Sequence, residues 1–197
     1  MSKYFIEIVE RRKEYRRRKK RLKRYKIELI KLGDGKMNIK IYTDGACSGN
    51  PGAGGWACIL STVLSNGQVY EQKHCGGYRL TTNNRMELIG VIEGLMHING
   101  AHNVEIISDS KYVCDAFNQH WIDGWRKNNW TKGKNGKLPN ADLWRTLWNL
   151  ISMQNSFKFT WVKGHNEHPY NEECDRLAVN AYKSNNLSID TNYERGY

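Results

Sequence analysis

Residues 39–46 read Ile39-Lys40-Ile41-Tyr42-Thr43-Asp44-Gly45-Ala46. Alternation puts Ile39 and Ile41 on one face of a strand over 38–43. Asp44 stands where that strand ends, with a glycine beside it. Asp-Gly makes a good turn, so Asp44 alone needs no further explanation. It becomes informative only if other parts of the chain bring partners to it.

Working outward from this strand, residues 55–60 form a second short apolar run. Residues 67–76 follow the Ser65-Asn66-Gly67 turn signal as a third strand. A helix is expected over about 85–98, with Met86, Ile89, Ile92 and Leu95 as its apolar positions. Residues 103–108 read as a fourth strand. A helix follows Asp109-Ser110, another spans about 141–152, Phe157, Phe159 and Trp161 alternate as a fifth strand, and a last helix runs over about 172–183. The expected order is βββαβααβα, an α/β protein, with room for one more helix near 119–127. There is no internal repeat.

Four acids recur at the ends of these elements. Asp44 ends the first strand and Asp109 follows the fourth, while Glu87 and Asp175 fall in the first turns of the first and last helices. Each has an ordinary reading. Asp44 makes the turn; Glu87 stands at capping-box spacing from Asn84; Asp109 caps the next helix; Asp175 complements a helix dipole. Taken together they read differently. In this order strands one and four can be neighbours, and carboxylates that meet repel, so one of them is pushed neutral. A hard divalent cation such as Mg²⁺ removes the repulsion by taking oxygen ligands. Two such ions about 4 Å apart clamp the attacking and leaving oxygens of a phosphoryl displacement.

Four blocks carry a resemblance: YTDGACSGNPGAGGWACIL, TTNNRMELIGVIEGL, ISDSKYV and WVKGHNEHPYNEECDRLA. They stand in the order of the type 1 ribonuclease H family and cover most of 39–183. The resemblance implies a ribonuclease H-like fold with a mixed five-stranded sheet flanked by helices. It implies an endonuclease that hydrolyses the RNA strand of RNA–DNA hybrids with two Mg²⁺ ions, Mn²⁺ being a substitute. Asp44, Glu87, Asp109 and Asp175 are then the metal-holding catalytic acids, and His165, in VKGH, is the family's loop histidine, suited to proton transfer or product release. By the same analogy Asp44 bridges the ions and Asp175 serves the one at the attacking water. Glu87 and Asp109 serve the one at the leaving oxygen. The products carry 5′-phosphate and 3′-hydroxyl ends. The alternative is a catalytically silent module that binds hybrids; the complete acid set argues against it.

The resemblance also implies contacts to the hybrid, where the 2′-hydroxyl distinguishes the strands. Cys47, Gly49 and Asn50 fall along the RNA strand or its edge, Thr82 and Asn84 on the DNA side. In 120–137, Trp121, Trp125 and Trp130 alternate with Arg126, Lys127, Lys132, Lys134 and Lys137, a pattern that grips phosphates and stacks on sugars or bases. At least one of these tryptophans is expected to anchor the excursion to the core.

The chain has 197 residues, 39% of them hydrophobic, seven Trp and a formal net charge of +11. The charge is uneven. Residues 1–37 hold fifteen Lys/Arg against five Asp/Glu, a net of +10, and residues 38–197 hold sixteen against fifteen, a net of +1. A basic tail over 1–37, a catalytic domain over 38–185 and a C-terminal tail over 186–197 are expected. Ile8, Tyr15, Leu22 and Leu29 recur every seven residues, which suits a helix. The tail either lies along a duplex, stays a solvated charge run, or mediates association of an otherwise monomeric protein. No apolar run reaches the roughly 18 residues of a membrane span. Glu7, Glu10, Glu14 and Glu28 argue against a transit peptide. Cysteines at 47, 58, 75, 114 and 174 form no close pair, which disfavours zinc and points to reduced thiols in the cytoplasm. The run Arg16–Arg21 leaves a nuclear address open.

Overall fold

The computed structural model describes residues 36–164 and 168–196, apart from the side chain of Asn135. The chain divides into two units, Met1–Lys36 and Met37–Tyr197. The expectations for the basic tail, its helix and seven-residue seam included, lie outside the described residues.

Five strands form one sheet: β1 (Asn38–Gly49), β2 (Gly52–Val63), β3 (Val69–Thr81), β4 (Asn103–Ser108) and β5 (Ser156–Trp161). Their spatial order is β3-β2-β1-β4-β5. The first three are antiparallel neighbours, while β4 runs parallel to β1 and to β5, so the sheet is mixed. Among the described residues the helices are α1 (Asn83–Met96), α2 (Lys111–Asn118), α3 (Trp121–Lys127), α4 (Ala141–Ile151), α5 (Pro169–Tyr182) and α6 (Thr191–Glu194), with a 3-10 turn at Gly133–Asn135.

The central strands are buried on both faces. Helix α1 lies between the sheet and α4, so Met86, Leu88, Ile89, Val91, Ile92 and Leu95 are all buried and no polar stripe remains. Helix α5 covers the sheet on β1, β2 and β3, closing a core of Tyr42, Ala57, Ile59, Ile107, Cys174 and Ala178. The helix expected near 119–127 is α3.

Two expectations change in detail. Strand β1 does not stop at Thr43. It stays paired with β2 to Gly49, and Asp44 faces Ala57 in mid-strand. What ends near Asp44 is the other partner, since β1 and β4 pair only as far as Tyr42–Ile107. The last residues, expected as a tail from 186, pack onto the unit. Tyr78 and Ser188 form a β-bridge, and Asp190 is buried.

Candidate active site

One carboxylate oxygen from each of Asp44, Glu87 and Asp109 lies within 4.8 Å of the others. Three elements deliver them: β1, the second turn of α1, and the residue after β4. The parallel ladder between β1 and β4 ends two residues before both Asp44 and Asp109. The crevice beyond the carboxyl ends of parallel strands is where open α/β sheets place their ligands. Glu87 reaches the same crevice because residue 45 is glycine. A Cβ there would stand 2.4 Å from the Glu87 backbone nitrogen and 2.6 Å from the Met86 carbonyl carbon. Only glycine lets α1 settle onto β1 at this level.

Two ordinary readings of the acids fail on the caps. Ser110, not Asp109, caps α2, its side chain accepting the Val113 N–H at 3.4 Å. Thr82 occupies the N-cap position of α1, which puts Asn84 inside the helix and Glu87 in its second turn rather than its first. Helix α5 starts at Pro169, so Asp175 is its seventh residue and too far in to serve the dipole at its start. None of these three acids is used by a helix end.

The electrostatics follow from burial. Asp44 and Glu87 are each 6% exposed. Burial pushes the Asp44 carboxyl up to about 8; the Asp109 and Asp175 charges add to this, and the Gly45 N–H, donating to Oδ1 at 2.7 Å, opposes it. Glu87 is pushed well above the usual range by burial first, then by Asp44 and Asp109, against a hydrogen bond from Asn83 and one from the Gly45 backbone. Glu87 Oε2 is buried with no hydrogen-bond partner among the described residues. An all-oxygen set held this close, one buried atom unpartnered, suits a hard cation. Asp175 lies near enough to Asp44 to add to its shift but is not one of the three clustered oxygens. His165 lies outside the described residues.

The residues expected to read a nucleic acid fall into two groups. Cys47, Gly49 and Asn50 occupy the end of β1 and its turn. That turn is tied to the start of α1: the Cys47 thiol donates to the carbonyls of Gly52 at 3.6 Å and Thr81 at 3.7 Å. The Asn83 N–H donates to Asn50 Oδ1 at 3.1 Å. Thr82 and exposed Asn84 follow directly. In the second group Trp125 packs on buried Trp144, centroids 5.1 Å apart, and is an anchor. Trp121 is 45% exposed, Trp130 half-buried, Lys127 and Lys132 exposed, and the Arg126 guanidinium stacks 3.7 Å above the Trp148 ring.

Three residues at the site escaped the sequence reading. Asn171 donates from Nδ2 to Asp109 Oδ2 at 3.1 Å. The Trp161 indole N–H donates to the Asp109 carbonyl at 2.9 Å, under the Lys111 ammonium 5.0 Å from its ring centre. A Cβ on Gly164 would stand 2.6 Å from Asp109 Oδ2. Asn171 was findable, because it lies one helical turn before Asp175.

Fold and site define an α/β protein that gathers two buried carboxylates and one half-buried one beyond its central parallel strands, the donor set of a hard-cation site. A family model described as RNase H matches residues 36–183. The ribonuclease H of Lachnoclostridium phytofermentans is 48% identical over 155 residues, 78% of this chain and 98% of that protein. That of Trichodesmium erythraeum is 45% identical over 159 residues, 81% of this chain and 98% of its own length. Among solved structures, LC9-RNase H1, described as a type 1 RNase H with the type 2 active-site motif, superposes with a TM-score of 0.70 at 27% identity, covering 83% of this chain and 82% of that one. The chain belongs to the ribonuclease H family of enzymes.

Proposed function

We propose that the chain hydrolyses the RNA strand of RNA–DNA hybrids, using Asp44, Glu87, Asp109 and Asp175 to hold Mg²⁺. The observation that carries this is the convergence of Asp44, Glu87 and Asp109 oxygens within 4.8 Å at the end of the parallel strands. Mg²⁺, when bound there, offsets the carboxylate charge, promotes ionisation of water and stabilises negative charge on the phosphoryl oxygens. The protein's own part is placement. Asp44 sits on a strand locked between two others, Glu87 on a helix seated against it, and Asp109 is held through its carbonyl and its carboxylate. His165 is assigned the proton-transfer or product-release role. Cys47, Gly49, Asn50, Thr82 and Asn84 are assigned to the two strands near the scissile bond. Trp121, Trp130, Arg126, Lys127 and Lys132 are assigned to the flanking duplex, and Trp125 to anchoring this segment on Trp144.

Hybrid-binding in a relative supports this partner: LC11-RNase H1, which shares the fold, has a structure in complex with an RNA/DNA hybrid. No helix among the described residues is long and apolar enough to cross a membrane. We place the enzyme in the cytoplasm, supported by five unpaired cysteines, and take it as a monomer that its basic tail can bring into association.

End-labelled hybrid, double-stranded DNA and double-stranded RNA, each with Mg²⁺ and with chelator, test the reading. Only hybrid with Mg²⁺ is expected to be cut, and only in its RNA strand. Asp109→Asn is expected to abolish cutting while the thermal transition persists. Cutting in chelator, or by D109N, sinks the proposal.

A further inference from the structure

We propose that Asn171 is a positioning residue for this reaction: its amide nitrogen fixes the Asp109 carboxylate, and its amide oxygen orients the attacking water. The inference rests on the ribonuclease reading above.

Asn171 lies in the first turn of α5 and is 4% exposed. Its Nδ2 stands 3.1 Å from Asp109 Oδ2. An ionised carboxylate only accepts hydrogen bonds, so the amide must turn its NH₂ towards Asp109 and its oxygen away. That oxygen, Oδ1, is buried and has no hydrogen-bond partner among the described residues. Leaving a buried acceptor unpaired costs about 1–3 kcal/mol. Folded proteins rarely tolerate this unless a water or ligand completes the group. Of the four buried unpartnered side-chain atoms among the described residues, Thr43 Oγ1, Glu87 Oε2, His168 Nδ1 and Asn171 Oδ1, Glu87 Oε2 belongs to the acid cluster. Two of the four, Glu87 Oε2 and Asn171 Oδ1, thus belong to residues that are in the acid cluster or hydrogen-bonded to it.

Two further observations narrow the role. Asn171 and Asp175 are four residues apart on α5 and share a face, so one helix presents an amide and a carboxylate together. Gly164 closes on the same Asp109 oxygen that Asn171 holds, a Cβ at 164 falling 2.6 Å from it. Asp109 Oδ2 is confined from two sides, which orients the carboxylate's other oxygen. A purely structural amide that pinned α5 to Asp109 would need no unpartnered acceptor.

The test uses the full chain and two variants. Asn171→Ala removes both polar functions, and Asn171→Leu removes them while keeping the volume. With saturating Mg²⁺ and labelled hybrid, both are expected to lose about 100-fold in single-turnover rate with KM changed less than about twofold. Thermal unfolding establishes that each is folded at the assay temperature. A readout independent of activity is the side-chain amide signal of Asn171 in ¹⁵N-labelled protein, assigned by its loss in N171L. It is expected to shift in D109N and on titration with Mg²⁺ in the absence of hybrid. Wild-type cleavage alongside unimpaired N171A and N171L, a loss confined to KM, or an amide signal indifferent to D109N overturns the inference alone. A wild-type chain that leaves hybrid uncut overturns the ribonuclease reading and this inference with it.

Discussion

Asp44 shows how a single residue is set against its own charge. Burial, Asp109 and Asp175 lift its carboxyl from an ordinary 3.8 to about 8. Between those values the folded protein holds a proton that the unfolded chain has released, so stability falls as pH rises through this window. Below about pH 4 both states are protonated and the effect vanishes. Asp44→Asn, which cannot ionise, is therefore expected to raise Tm in chelator at pH 8 and to leave the difference near zero at pH 3.5. Adding Mg²⁺ at pH 8 is expected to raise the wild-type Tm, because the cation binds only the folded state, and to do less for the variant. Calorimetry at the two pH values, with and without Mg²⁺, checks both. An equal Asp44→Asn gain at both would mean that packing, not charge, limits the site.

At the scale of elements, a buried ion cluster ties the end of the chain to the helix that carries Glu87. Arg85, 1% exposed, donates through Nε and Nη2 to Asp190 at 2.6 and 2.8 Å, and through Nη1 and Nη2 to Asp142 of α4 at 3.1 and 3.0 Å. Thr81 and Asn192 complete the two carboxylates. Burial alone would lower the Arg85 pKa, but these hydrogen bonds raise it instead. Removing one partner of a buried pair strands the other charge. Asp190→Ala is expected to cost about 3 kcal/mol in a urea titration, and stopping the chain at 186 to cost at least as much. A loss under about 0.5 kcal/mol, the scale of a surface pair, would show the contact to be open to solvent. The sequence concealed this cluster, because Asp142 and Asp190 lie 57 and 105 residues from Arg85 and nothing local marks either one. The same blindness made 186–197 read as a tail.

Across the whole molecule the charge is divided between a body of net +1 and a segment, 1–37, of net +10. A nearly neutral body neutralises few phosphates, so most of the salt dependence of hybrid binding is expected to come from the segment. Deleting residues 1–36 is expected to flatten the slope of log affinity against log salt by several contacts. Cleavage of a short hybrid at saturation is expected to change less than about twofold, since positioning at the site is untouched. Fluorescence anisotropy across a salt series measures the first, and an unchanged slope would show that the segment does not touch nucleic acid. Sedimentation of the full and shortened chains tests whether it drives association.

Element types and their order were readable along the chain, because apolar spacing of two or of three to four is written locally and burial enforces it. Three acids that the structure clusters, Asp44, Glu87 and Asp109, stood in motifs readable along the chain. What those acids do to one another was not readable there. Their convergence depends on where the β1–β4 ladder stops, on a missing side chain at Gly45 and on Ser110 taking the cap that Asp109 would otherwise serve. Asn171, Gly164 and the Arg85 cluster likewise exist only as approaches between distant segments. Local pattern records which face a residue turns to the core; only the folded chain decides which charges then meet there, because desolvation and Coulomb repulsion depend on distances that no single segment contains.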